Sequence, residues 1–140
     1  MSRSPATQAQ PRPRPLSPHL SIYKVTITMA MSVFHRLTGM ALYAGTLLVA
    51  LWLSAAAGSQ SYYDAVNGIY NSWFGRLVLL VYTWVLLQHM LGGIRHFVWD
   101  TGAGLDKATA SRFGWMTLIG SLVLTVVIWV VGYMVRGGQA

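Results

Sequence analysis

The sequence contains no cysteine and very few charged residues. Charged residues make up 9% of the 140 positions, whereas soluble domains average about 25%. A chain without cysteine forms no disulfide, holds no zinc or iron–sulfur cluster through thiolates and has no cysteine nucleophile. The acidic residues are only Asp64, Asp100 and Asp106, which excludes a soluble hydrolase that works with paired carboxylates. The chain therefore has the length of one domain without the composition of a soluble enzyme.

Long uncharged segments take the place of the missing charge. Hydrophobic residues make up 54% of the sequence, and no charged residue interrupts 37–63, 77–94 or 113–135. About 20 helical residues cross a hydrocarbon core of about 30 Å, and helices satisfy their own backbone polar groups within lipid. We therefore predict an all-α membrane protein with three transmembrane helices near 28–55, 70–98 and 113–135, in a domain that spans 28–140.

The basic residues are concentrated on one side of the predicted spans. The N-terminal arm (residues 1–27, rich in proline and arginine), the start of the first helix and the region around the second loop carry eight bases, and the other side carries only Arg76 and Arg136. The positive-inside rule then predicts a cytoplasmic N-terminus. Because the bases flank apolar runs and form no basic face of a soluble fold, we expect no nucleic-acid binding despite the net charge of +7.

A first polar cluster lies inside the first predicted helix. Ser32, His35 and Arg36 share one helix face because positions i, i+3 and i+4 are neighbours, and Gly39 extends that face without a side chain. A central membrane arginine costs at least about 2.5–3.5 kcal/mol, so its presence needs an explanation. The face suits a quinone carbonyl or a carboxylate such as a haem propionate. It equally suits a structural role in which Arg36 extends to the headgroups and His35 caps the interface.

A second polar cluster lies near the end of the second predicted helix. His89 and His96 are two turns apart on one face, about 10.5 Å along the axis, and we expect Gly92 and Gly93 to clear the surface beside His89. A buried imidazole beside a cleared face is suited to axial haem ligation, and Arg95 and His96, expected near the surface, could meet the propionates. The alternative is a histidine bonded to a neighbouring helix, with glycines that pack helices together. If His89 does bind haem, we expect another subunit to supply the second ligand.

Three segments of the chain resemble the cytochrome b subunit family of succinate dehydrogenase. They are Arg14–Tyr23 in the arm, Ser32–Gly39 in the first helix and His89–Asp100 at the end of the second helix. The three motifs occur in order, and the similarity extends from about 14 to 135. The resemblance implies one of the two membrane anchors of succinate:quinone oxidoreductase (respiratory complex II), each with three helices, which together form a heterodimeric helical bundle.

The resemblance also implies site residues, cofactors and partners. His89 matches the family's ligand to the haem b iron, Ser32 and Arg36 match quinone-site residues, and His35, Arg36 and His96 match positions near the haem propionates. The implied partners are a second haem-ligating anchor, an iron–sulfur subunit, a flavoprotein subunit and the lipid membrane. The implied substrate in the membrane is ubiquinone. The chain has no flavin motif and no cluster cysteines, so we expect no catalysis by the chain alone.

Location and rival functions follow from the remaining features. Only thirteen residues precede Arg14, which is short for a transit peptide, so we expect a bacterial inner (cytoplasmic) membrane. A haem-free structural anchor for a soluble partner is the alternative function. A transporter is disfavoured because it calls for an intramembrane acid, and none of the three apolar runs contains one.

Overall fold

The fold consists entirely of helices in the part of the chain that the structure describes. The computed structural model describes residues 24–137, so the motif Arg14–Tyr23 and most of the predicted arm lie outside it. The division of the chain into an arm and a membrane domain therefore stays a prediction. The helices are α1 (Ile27–Ala56), α2 (Gln60–Asn71), α3 (Trp73–Asp100) and α4 (Lys107–Gly137).

Three of these helices are long and apolar enough to cross a membrane. Helices α1, α3 and α4 contain 30, 28 and 31 residues, with mean hydropathies of 1.6, 1.7 and 2.4 in their most apolar windows. The predicted all-α membrane fold with three spans is confirmed. Side-chain caps begin the helices: Thr26 accepts a hydrogen bond from the backbone N–H of Met29 and Ser72 accepts one from Gly75, which satisfies N–H groups that the first turn leaves free.

Helix α2 has no counterpart among the predicted helices. It begins after Ser59, whose hydroxyl accepts from the N–H of Tyr62, and ends at Asn71. Ser72 alone separates α2 from α3, with a ψ of 160° that breaks the helical path. Gly75 is needed at this bend, because a Cβ there would overlap the carbonyl oxygen of Ile69. The long loop predicted before the second span is therefore mostly a short amphipathic helix.

Helix α3 is central and packs against all three other helices. Its contact with α4 contains hydroxyl groups: Ser121, which is fully buried, accepts from Trp84 Nε1 at 3.1 Å and donates to Gln88 Oε1 at 2.7 Å. Gln88 Nε2 in turn donates to the sulfur of Met31 on α1 at 3.5 Å. Small residues and interhelical hydrogen bonds of this kind hold membrane helices together. The packing sets the antiparallel pair α1 and α3 side by side, so the start of α1 meets the end of α3.

Candidate functional site

Three imidazole rings meet where α1 begins and α3 ends, and we call His35, His89 and His96 the histidine cluster. His35 comes from α1, and its ring lies between the rings of the two α3 histidines. It stacks on His89 with ring centroids 4.1 Å apart and planes 3° from parallel. Its centroid lies 5.1 Å from that of His96, with the rings tilted by 53°. The two-turn spacing of His89 and His96 thus leaves a gap that a third imidazole enters.

Glycines on both helices make this close approach possible. A Cβ on Gly39 would lie 3.1 Å from Cε1 of His89, and one on Gly92 would lie 2.6 Å from Nδ1 of His35. Gly93 faces open space, with no atom within 4 Å of its ideal Cβ. The expected clear surface beside His89 is therefore present: Gly92 makes room for the His35 ring that stacks on His89, and the surface at Gly93 is open. Each imidazole packs against a glycine of the opposite helix: the His89 ring lies against Gly39, and the His35 ring lies against Gly92.

The contacts of His89 determine which of its ring nitrogens carries the proton. Nδ1 lies 3.1 Å from the backbone oxygen of His35 and 3.2 Å from the hydroxyl of Thr38. A carbonyl oxygen only accepts, so Nδ1 must be the donor. The Thr38 hydroxyl directs its own proton to the carbonyls of Phe34 and His35 and is free to accept as well. The neutral ring then carries an unprotonated Nε2, which is the form that binds a metal.

Arg95, which the sequence predicts near the cytoplasmic membrane surface, is buried beside the cluster. Only 5% of the residue is exposed, and its guanidinium carbon lies 4.9 Å from the ring centroid of Trp99. Its Nε and Nη1 atoms are buried and have no hydrogen-bond partner among residues 24–137; the same is true of His35 Nδ1. Buried donors without partners are rare and costly in proteins, so this end of the bundle is prepared for acceptor groups that the described chain does not provide.

Ser32 and Arg36 lie on the same helix as His35 but are not part of the ring contacts. Ser32 is half-buried and Arg36 is exposed. Within residues 24–137, no hydrogen bond ties either side chain to the histidine cluster. Both side chains remain without a hydrogen-bond partner in the described part of the chain. His96 is likewise exposed, and its ring also meets Trp99 edge-on at 5.2 Å between centroids.

The residues present fit a haem, which brings four nitrogen ligands of its own and requires an axial imidazole from the protein. His89 offers a ring held by Nδ1 with Nε2 left over. The unpaired donors at the same end suit carboxylates. The histidine cluster is not arranged to hold a free metal ion, since within residues 24–137 no group of three or more histidine, aspartate or glutamate side chains could hold one.

Two features of the site lie beyond sequence reasoning. Thr38 lies within the motif Ser32–Gly39, yet nothing in the sequence shows that its hydroxyl reaches His89 across the helix pair. Arg95 lines a groove together with residues of α4, a helix that carries no motif. A partial signal existed for Thr38, since a hydroxyl one turn after His35 shares that residue's face.

Comparison with known proteins gives consistent matches over most of the chain. Residues 10–128 match the model of the succinate dehydrogenase/fumarate reductase transmembrane subunit family. The chain is 36% identical over 121 residues to the succinate dehydrogenase cytochrome b556 subunit of Paracoccus denitrificans, covering 86% of this chain and 93% of that protein. It is 34% identical to the cytochrome b560 subunit of Reclinomonas americana, covering 84% and 85%. It is 37% identical to the mitochondrial b560 subunit of Sus scrofa, covering 81% and 68%.

Proposed function

Because the chain belongs to the succinate dehydrogenase/fumarate reductase transmembrane subunit family, we propose that it holds haem b through His89 and helps to bind ubiquinone through Ser32 and Arg36. Membership makes the chain a membrane anchor of such a complex and implies the other subunits as partners. The cytochrome b names of the relatives support haem as the cofactor. In this proposal the chain passes electrons from an iron–sulfur subunit to quinone and does not catalyse succinate oxidation alone.

The hydrogen bonding of His89 carries the proposal. The backbone oxygen of His35 and the hydroxyl of Thr38 both engage Nδ1, so Nε2 is the nitrogen left for iron. Gly39 lets the ring come close to α1, and the parallel ring of His35 supports one of its faces. When bound, haem supplies a one-electron redox centre. A second ligand to the haem iron would come from the partner anchor, because His35 already packs face to face on His89 and His96 lies two turns away from it.

The polar groups at the same end are proposed to hold the haem propionates. Arg36 and His96 are exposed, and His35 is half-buried with an unpaired Nδ1. Arg95 adds buried N–H groups without partners. Carboxylates accept such hydrogen bonds strongly when the donor is charged. These four side chains would hold the propionates of a bound haem.

Ser32 and Arg36 are proposed to bind the quinone. A hydroxyl and a guanidinium one turn apart can both donate to a carbonyl oxygen, and their interaction strengthens as that oxygen gains negative charge. The half-buried position of Ser32 and the exposed position of Arg36 place one donor inside the helix packing and one at its edge. We further propose a cytoplasmic N-terminus in a bacterial inner membrane, which puts this site on the side from which soluble subunits and protons arrive.

A haem-free structural anchor is the second candidate. The observation that favours it is that the ring stack and the two glycine contacts also join α1 to α3. On that account the histidines are packing groups, and His89 donates its proton to α1 only to link the helices. The two candidates differ in whether Nε2 of His89 has a ligand.

The decisive experiment is the reduced-minus-oxidised absorption spectrum of the complex, purified with its natural partners. We expect a b-type spectrum that is lost in His89→Ala and kept in the matched control His96→Ala, because, of these two histidines, only His89 is proposed to ligate the iron. Thr38→Val, which removes one acceptor of the Nδ1 proton, should weaken haem retention on the order of tenfold, while Thr38→Ser retains it. An unchanged spectrum in an assembled His89→Ala complex contradicts the ligand assignment, and a colourless wild-type complex supports the structural anchor.

A further inference from the structure

A cavity lined by polar and apolar residues lies at the opposite end of the bundle from the histidine cluster. It has a volume of about 470 Å³ and lies between α2, the start of α3 and the end of α4, and we call it the α2–α4 pocket. Its lining residues used below are Asn67, Asn71, Arg76, Trp129, Gly132 and Arg136. The proposed haem and quinone sites use none of them, so the pocket requires its own explanation.

The charge of the α2–α4 pocket is one-sided. Arg76 and Arg136 both line it, and no lining residue is acidic. Asp64 is the only acid on α2, and its Oδ1 accepts a hydrogen bond from Gln60 at 2.8 Å. The other two acids of the chain, Asp100 and Asp106, lie at the far end of α3 and just after it. Two guanidinium groups therefore face one cavity without a carboxylate on its walls.

The polar groups of the pocket are held in place by hydrogen bonds. Arg136 Nη1 donates to Asn71 Oδ1 at 3.1 Å, which links the last turn of α4 to the end of α2. Asn71 Nδ2 donates to the backbone oxygen of Asn67 at 2.9 Å. One side of the Arg136 guanidinium is thus fixed, and its other N–H groups remain for an anion. Planar arginine donors match the oxygens of a phosphate group in pairs.

The pocket changes from polar to apolar along the membrane normal. Arg136 lies in the last turn of its span and Arg76 in the first turn of α3, so both belong at the headgroup level. Trp129 is seven residues before Arg136, about 10.5 Å deeper along α4, and its Nε1 is occupied by Thr83 Oγ1 at 3.2 Å. Gly132 leaves open space between these levels, since no atom lies within 4 Å of its ideal Cβ. A basic rim above an apolar slot is complementary to an amphiphile that has an anionic head and an apolar tail.

We propose that the α2–α4 pocket binds an anionic phospholipid, with the phosphate on Arg76 and Arg136 and an acyl chain along Trp129 and Gly132. Anionic headgroups are attracted to basic residues at the membrane surface, and an acyl chain fills the apolar part that a free phosphate ion would leave empty. Phosphatidylglycerol meets both requirements. The pocket then ties α2 to the ends of the two spans through a lipid in addition to the bond between Arg136 and Asn71.

The test measures phosphatidylglycerol that stays with the complex, purified with its partners from bilayers of phosphatidylglycerol and phosphatidylcholine and quantified by lipid mass spectrometry. Arg76→Gln/Arg136→Gln should retain on the order of tenfold less phosphatidylglycerol. Arg112→Gln, an exposed arginine at the other end of α4, is the matched control and should retain the wild-type amount. The b-type spectrum should be the same in all three complexes, which shows that each has assembled.

A second variant tests the acyl slot without changing charge. Gly132→Leu should fill the open space and reduce bound phosphatidylglycerol while the complex stays folded, because leucine is a better helix former than glycine. Washing the wild-type complex with inorganic phosphate should leave the lipid in place. Equal retention by the wild type and the double arginine variant would overturn the proposal, as would loss of the lipid to inorganic phosphate, which would indicate a site for soluble anions.

Discussion

Gln88 and His89 are adjacent in the chain, yet they differ in whether all their polar atoms have hydrogen-bond partners. Both ends of the Gln88 amide are engaged, by Ser121 on α4 and Met31 on α1. His89 uses only Nδ1, on the α1 backbone and the Thr38 hydroxyl, and Nε2 is left over. One residue therefore completes the contact between α3 and its neighbours, while the next presents an unused nitrogen. The Gln88 amide thus joins helices through hydrogen bonds, whereas Nε2 of His89 has no partner in the described part of the chain.

The same contrast extends to the surroundings of the two residues. Around Gln88, the indole of Trp84 and the hydroxyl of Ser121 are paired with each other. Around His89, buried nitrogens of His35 and Arg95 have no partner within residues 24–137. Unpaired buried donors are expensive, so we expect the second group to be completed by ligands when the complex assembles. Substitutions around His89 should accordingly affect haem and quinone chemistry, and substitutions around Gln88 should affect the free energy of unfolding.

The largest expected effect concerns quinone reduction. Arg36→Ala should lower succinate:quinone reductase activity on the order of 100-fold and Ser32→Ala on the order of tenfold, because each removes a donor to an oxygen that gains charge. Succinate oxidation by an artificial soluble acceptor should be unchanged, since that acceptor bypasses the membrane site. Arg112→Ala is the control for loss of a basic residue. Equal loss of both activities would remove the case for a quinone role.

A matched pair of glycines tests the packing of the histidine cluster. Gly92→Ala should lower the free energy of unfolding by about 1–3 kcal/mol, because its Cβ would lie 2.6 Å from His35 Nδ1. The same change should shift the haem absorption bands by displacing the stacked rings. Gly93→Ala, which meets open space, should be neutral or slightly stabilising. Thermal unfolding with absorbance detection measures both, and equal effects of the two variants would disprove the asymmetry.

A substitution in the α3–α4 contact should change the free energy of unfolding and leave the chemistry unchanged. Ser121→Ala leaves Gln88 Oε1 and Trp84 Nε1 without their shared partner, and membrane interhelical hydrogen bonds contribute about 0.6–1.7 kcal/mol. We expect a loss of that size in unfolding experiments in detergent. The haem spectrum and quinone reduction should match the wild type. A changed spectrum would show that the paired and unpaired groups are not separable.

The smallest expected effect lies outside the membrane, at the start of α4. Hydrogen bonds from the side chain and then the backbone of Thr109 lower the pKa of the Asp106 carboxyl. The stability that the ionised cap contributes is therefore present above the unfolded-state pKa of about 3.9 and is lost as the pH falls through the lower folded-state pKa. The difference in Tm between the wild type and Asp106→Asn should shrink below about pH 4. A difference that does not change with pH would contradict this cap.

The sequence predicts the three spans because a long uncharged run satisfies its backbone hydrogen bonds within lipid by forming a helix. It does not predict α2, whose residues are too polar to resemble a span and whose start depends on the Ser59 cap. Helix α4 begins at Lys107 and not at the predicted 113. Its first turns are polar, and Asp106 caps them ahead of the apolar run.

The candidate site is only partly readable from sequence. Helical spacing puts His89 and His96 on one face, but the entry of His35 between them depends on the register of α1 against α3. The sequence indicates that Gly92 leaves space beside His89, but it does not show that the ring entering this space is that of His35. Arg95 lines a groove with residues of α4, whose sequence provides hydrophobicity without a motif. Local periodicity is therefore predictable here, and contacts between helices are not.

The most direct test of the central claim is an experimental map of the complex purified with its partner subunits. The account predicts that Nε2 of His89 coordinates the iron of a haem while Nδ1 keeps its bonds to the His35 backbone and Thr38. Acyl chains against His89, with no porphyrin beside it, would contradict the account and leave the chain a structural anchor.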